Sequence, residues 1–241
     1  MFKFSFRNSF FFLFLGLFIP FPAFADNLKV KSFGHSNFLI KGGGQTVLLN
    51  PFKSTGCASD LKEQKNLDYD FILSSSRLAD EGYNPSNNLM FVDPGVYKFK
   101  ETILTGIPIA HDRFQGRRFG MATVWIWEQN DFNIVHMGGA AGPININNQI
   151  LLSRPDILFI SIGGGDKSYN GKEAVEIINK LKPNIVVPVH FRNKEKIIQN
   201  CDFTNEDVFL KNISDFKIKY VRKNFELNPN KIPNKSILII K

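Results

Sequence analysis

The chain has 241 residues, 43% hydrophobic and 22% charged, with a formal net charge of +8. That length supports one sizeable core, and the absence of a Gly/Ser/Pro-rich linker or internal repeat excludes a repeat array and points to a single domain. Its basic residues are scattered and form no aromatic-plus-basic stripe, which excludes nucleic acid as the expected partner.

Lys3 and Arg7 precede an apolar run from Phe10 to Phe21, which is followed by Ala23-Phe24-Ala25, a small-x-small pattern. Charge, run and small residues in that order predict a secretory signal peptide over residues 1–25, cleaved after Ala25. The run falls short of the roughly 20 apolar residues of a spanning helix, so the membrane is expected only through the export signal. The expected location is the periplasm or another extracytoplasmic compartment such as a thylakoid lumen. In such a compartment Cys57 and Cys201 are permitted to form a disulfide, with two separate thiols as the alternative.

From Leu28 to Leu49 the pattern predicts three short strands, "LKVKSF", "NFLIK" and "TVLLN", with Gly42-Gly43-Gly44 turning the second into the third. Further strands are expected at 71–73, 89–92, 96–100, 102–109, 122–128 and 132–136, most of them separated by turn residues such as "DPG" and "QND". After Gly142 the period changes. Ala174, Val175, Ile177, Ile178 and Leu181 share one face of "GKEAVEIINKLKP", a helix that Pro183 stops. The continuous apolar runs "DILFISI" and "NIVVPVH" flank it, so the unit is a right-handed β-α-β with parallel strands. Both strands then end on one edge, which brings Gly163-Gly164-Gly165-Asp166 beside His190. A second helix is expected from Thr204, capped by its hydroxyl, and "FKIKYV" and "SILIIK" close the chain as strands.

The four histidines, His35, His111, His136 and His190, all stand at or just past strand ends or in turns, where scaffolds present functional groups. The motifs "GHSNFLI" (34–40), "LLNPF" (48–52), "DFILSSSRLADEG" (70–82), "IAHD" (109–112), "IVHMGG" (134–139), "ISIGGG" (160–165) and "VPVHF" (187–191) follow one another in that order. In this order the chain resembles the metallo-β-lactamase-fold hydrolases, in the branch related to ascorbate-lactone hydrolases and N-acyl-phosphatidylethanolamine phospholipase D enzymes. The resemblance covers residues 26–241 and implies an α/β fold, an αββα sandwich of two mixed sheets flanked by helices, with a site along one sheet edge.

The resemblance also implies a substituted site. The family's His-x-His-x-Asp-His motif falls on Ser76, Arg77, Leu78, Ala79, Asp80 and Glu81; the aspartate expected before Pro51 is Asn50, and the bridging aspartate of the family is Gly139. His111 and His190 match ligand positions, while His35 and His136 match supporting positions. The implied reduced centre is one zinc, iron or manganese ion on Asp80, His111 and His190, with Glu81 as a further ligand or general base. A metal-bound water there would hydrolyse an ester, lactone or phosphodiester of some small-molecule substrate. The alternative is an inactive descendant that kept the fold for binding or scaffolding. Residue by residue, other roles stay open: Asp80 as a turn cap, Glu81 as an ion-paired carboxylate, and His111 with Asp112 as a hydrogen-bonded pair.

Overall fold

The computed structural model describes residues 26–84, 87–192 and 201–241. The predicted signal segment, 1–25, lies outside the described residues.

Two mixed sheets pack face to face. The first contains the predicted meander, β1 (Leu28–Gly34), β2 (Asn37–Gly42) and β3 (Gln45–Leu49), followed by the short parallel strands β4 (Phe71–Leu73) and β5 (Met90–Phe91). The second runs through the antiparallel set β6 (Gly95–Phe99), β7 (Thr102–Ala110), β8 (Met121–Gln129) and β9 (Phe132–His136). It then turns parallel with β10 (Ile157–Ser161) and β11 (Ile185–Val189). The predicted closing strands are β12 (Lys217–Val221) and β14 (Ser236–Ile240), at the far edge of the second sheet. Between them in sequence, β13 (Asn224–Leu227) crosses to the first sheet and pairs with β1.

Alternation along the central strands explains their uninterrupted apolar runs. Phe159 and Val187 face the first sheet, packing with Phe38, Leu49 and Trp125, whereas Leu158, Ile160 and Val186 face the helices. With both faces buried, β10 and β11 are apolar throughout except for Ser161 at the end of β10, whose hydroxyl accepts from the Tyr169 amide, which is the mark of an interior parallel pair.

Three helices lie in the second apolar layer: α1 (Ile146–Leu152), α2 (Gly171–Leu181) and α3 (Asp207–Asn212). The predicted helix is α2. Asn170 caps it, accepting from the amides of Lys172 and Glu173, and the Glu173 carboxylate returns to the Asn170 amide, so its first turn has few unpaired donors. Lys182, with φ of 54°, ends it immediately before Pro183. Ile177, Ile178 and Leu181 are buried, each contributing about 1.5–3 kcal/mol relative to exposure. The helix expected from Thr204 begins instead at Asp207. The Thr204 hydroxyl and amide both donate to the Gly163 carbonyl, so it pins a loop rather than capping a helix.

The crossover has the predicted consequence. Gly163 lies against the end of β11 so closely that a Cβ there would stand 2.1 Å from the His190 carbonyl oxygen. Cys57 and Cys201 form a disulfide between loops 144 residues apart, with Cα atoms separated by 4.7 Å. Among the described residues no helix is long and apolar enough to cross a membrane.

Candidate functional site

Strand ends from both sheets converge. β4 delivers Ser74-Ser75-Ser76 and the turn carrying Asp80 and Glu81; β7 ends at His111, β9 at His136 and β11 at His190, while His35 occupies the β1–β2 turn. His111, His136 and His190 are buried, and Glu81 is only 3% exposed.

Glu81 is the centre of this group. Its Oε2 accepts from the Ser75 hydroxyl at 2.7 Å and the Ser76 hydroxyl at 3.1 Å. Ser75 is itself fixed by Asn50, whose side chain accepts from the Ser75 amide and donates to its hydroxyl and to that of Ser36. The imidazoles flank the carboxylate on its two oxygens: His111 Nε2 is 3.4 Å from Oε2, and His190 Nε2 is 3.6 Å from Oε1. Neither contact has hydrogen-bond geometry. Burial pushes the Glu81 carboxyl up, but its interactions with His111, His190 and the Ser75 hydroxyl outweigh it and hold the group well below the ordinary carboxylate range.

Burial lowers His35, His136 and His190. His190 is driven well below its ordinary value by desolvation, reinforced by His35; His35 itself is lowered by burial against the opposing pull of Glu81. His136 falls to about 4, again through burial, and its Nε2–H donates to the Ser36 carbonyl at 3.3 Å.

Asp80 points elsewhere. It accepts from the Lys167 ammonium at 2.7 Å, a residue 87 positions away in the loop after β10. The expected His111–Asp112 pair does not form. Asp112 accepts from the backbone amides of Phe114, Gly116, Arg118 and Phe119, and so organises the 112–120 loop, while both His111 nitrogens lack a hydrogen-bond partner among the described residues.

Of the four residues expected to carry chemistry, the structure therefore brings Glu81, His111 and His190 together and gives Asp80 a protein cation. Among the described residues no three His, Cys, Asp or Glu side chains are arranged to hold a metal ion, the trio Asp80, His111 and His190 included. The Glu81 carboxylate instead has one imidazole against each oxygen, His111 at Oε2 and His190 at Oε1, and is held by two serine hydroxyls. Gly139 belongs to the same arrangement, because a Cβ there would lie 2.1 Å from His111 Nε2 and 2.4 Å from Glu81 Oε1. Sequence reasoning gave Lys167 no role and did not see that Asn50 and Ser75 would support Glu81. Asn50 and the serine run were visible as residues, but their partners are set by tertiary contacts.

The sequence profile of the beta-lactamase superfamily domain matches residues 29–190. A UPF0173 protein of Pyrococcus abyssi is 25% identical over 187 residues, covering 68% of this chain and 83% of the relative. Among solved structures, a Thermotoga maritima protein assigned as a Zn-dependent hydrolase of the metallo-beta-lactamase superfamily aligns with a TM-score of 0.70 and 20% identity. That alignment covers 88% of this chain and 98% of the other. The metallo-beta-lactamase fold protein YhfI of Bacillus subtilis aligns with a TM-score of 0.57 and 10% identity over 90% of this chain and 97% of its own.

Proposed function

Because the chain belongs to the beta-lactamase superfamily domain family, we propose that it is a hydrolase-like member that works by binding, its ancestral metal centre converted into an all-protein cluster. The observation that carries this reading is the position of the Glu81 carboxylate between His111 and His190. Two serine hydroxyls donate to the carboxylate, which satisfies its Oε2 without an ion. Lys167 does the equivalent at Asp80, where a fixed ammonium supplies the positive charge. Ser76, Leu78 and Gly139 stand at positions where the family's pattern has ligands, and leucine and glycine offer no donor side chain.

Export belongs to the same proposal. The charged, apolar and small-residue order of residues 1–25 supports it, as does the Cys57–Cys201 disulfide, a bond that persists in oxidising compartments. The protein recovered outside the cytoplasm is expected to begin at Asp26, which N-terminal sequencing reads.

Elemental analysis tests the centre. Protein purified without chelators, then equilibrated with zinc, iron(II) or manganese and desalted, is expected to hold well under one equivalent of each, with an unchanged Tm. One equivalent that disappears in His190→Ala overturns the proposal and restores a metal-dependent ester, lactone or phosphodiester hydrolase.

A further inference from the structure

Between the β1–β2 turn and the carboxyl end of β11 lies a cavity of about 200 Å³. Phe38, Leu61, Val189 and Phe203 form its apolar part, and Arg192 and Lys223 stand on its wall. His35 separates it from the Glu81 cluster, its ring packed on His190 at 4.1 Å and stacked on Phe203 at 5.7 Å. Both cysteines of the disulfide also line it, so a covalent link fixes part of the wall.

Two features of this wall call for a ligand. Arg192 is always charged and its Nε is a donor, yet that nitrogen is buried without a hydrogen-bond partner among the described residues, as is His35 Nε2. Charge is also unbalanced among the described residues: Arg192 and Lys223 line the cavity with one acid, Asp60, while the Lys241 ammonium lies over the Tyr220 ring. A monoanion answers both. The remainder of the lining is mostly apolar and includes three phenyl rings, Phe38, Phe191 and Phe203, which favour an aromatic body over a sugar or an inorganic ion. Size sets the limit, since an apolar cavity of about 150 Å³ accommodates one benzene ring. The volume here takes one ring, a carboxylate and a short link.

We propose that this cavity binds a small aryl monocarboxylate, with the ring among Phe38, Leu61, Val189 and Phe203 and the carboxylate on the Arg192 guanidinium. A guanidinium matches a carboxylate with two parallel N–H donors, which makes Arg192 the specificity-determining residue. The inference stands on the cavity alone. It goes beyond the reading of the Glu81 cluster, and it holds whichever way the metal measurement falls.

Phenylacetate is the probe, with benzyl alcohol as its neutral counterpart, both titrated calorimetrically into the purified chain. Saturable phenylacetate binding is expected, about tenfold or more tighter than benzyl alcohol, because only the former engages the guanidinium. Arg192→Gln removes that preference and leaves benzyl alcohol unchanged. Lys223→Gln, at an exposed position that folding does not require, is expected to weaken phenylacetate by about twofold through lost long-range attraction. Should Arg192→Gln fail to fold, the Lys223→Gln titration and the acid-against-alcohol comparison decide the matter. Absence of saturable binding, equal affinity for acid and alcohol, or phenylacetate affinity untouched by Arg192→Gln in folded protein overturns the proposal.

Discussion

His35 and His190 are both held at positive φ, 56° and 49°, with ring centroids 4.1 Å apart and the His190 amide donating to the His35 carbonyl at 3.1 Å. One comes from a turn of the first sheet and the other from the end of a strand in the second, so the contact ties the sheets together at the site. Two non-glycine residues in this region of backbone space persist only where their surroundings over-determine them.

That contact sets a pH dependence. Burial lowers His35, His136 and His190, so each binds its proton less readily in the folded chain than in the unfolded one. Their contribution to stability is complete above the ordinary histidine value of 6.5 and is lost as pH falls, through about 4 for His136. Urea unfolding at intervals from pH 7.5 downward is expected to give a free energy that declines from about pH 6.5, the ordinary imidazole value. A profile flat from pH 7 to pH 5 contradicts the buried neutral imidazoles.

Asp112 adds a lower step. Burial raises its carboxyl, but four backbone donors, from Phe119, Arg118, Gly116 and Phe114, outweigh it and bring it from 3.8 to about 2. Its contribution is present above 3.8 and lost as pH falls through about 2. Asp112→Ala is expected to release the 112–120 loop, seen as faster hydrogen exchange of those four amides while the amides of β10 stay protected. Unchanged exchange at all four argues that the loop is held by other contacts.

The sheets and α2 were legible because their side chains repeat: period two in β1 to β3, unbroken burial in β10 and β11, and one apolar face in α2. By contrast, α1 gives no such signal, since Ile146, Ile150 and Leu151 face solvent and only Leu152 is buried. In β13, "NFEL" is too short to show alternation, and its pairing with β1 depends on a strand almost two hundred residues earlier. The convergence of His111 and His190 at one edge followed from strand order. Which carboxylate would meet them did not, because adjacent residues of one turn, Asp80 and Glu81, differ in direction: one finds Lys167 across the cleft and the other the imidazoles.

The disulfide should carry a large share of net stability. It closes a loop spanning 144 residues, for which chain entropy alone gives about 5 kcal/mol. The double variant Cys57→Ser/Cys201→Ser is expected to unfold at markedly lower urea, with a steeper slope because the unfolded chain without the cross-link exposes more surface, and reduction of the unaltered protein should reproduce the shift. A loss below about 1 kcal/mol would mean that the two loops are held in place by their other contacts, since loop closure would then contribute little.

Gly139 and Glu81 offer the sharpest test of the centre, because each occupies space that the other would need. Gly139→Ala inserts a methyl 2.1 Å from His111 Nε2 and 2.4 Å from Glu81 Oε1, an overlap expected to cost about 1–3 kcal/mol. Glu81→Ala removes the acceptor of Ser75 and Ser76 and leaves buried hydroxyls unsatisfied, at about 1–3 kcal/mol for each. In the double variant the overlap with Oε1 is gone and the His111 ring can shift toward the space the carboxylate has vacated, so the combined loss should fall short of the sum of the single losses by about 1 kcal/mol or more. Urea unfolding of the four proteins measures the difference. Additivity within about 0.5 kcal/mol would place the Glu81 carboxylate away from Gly139 and remove the packing argument for a centre built without an ion.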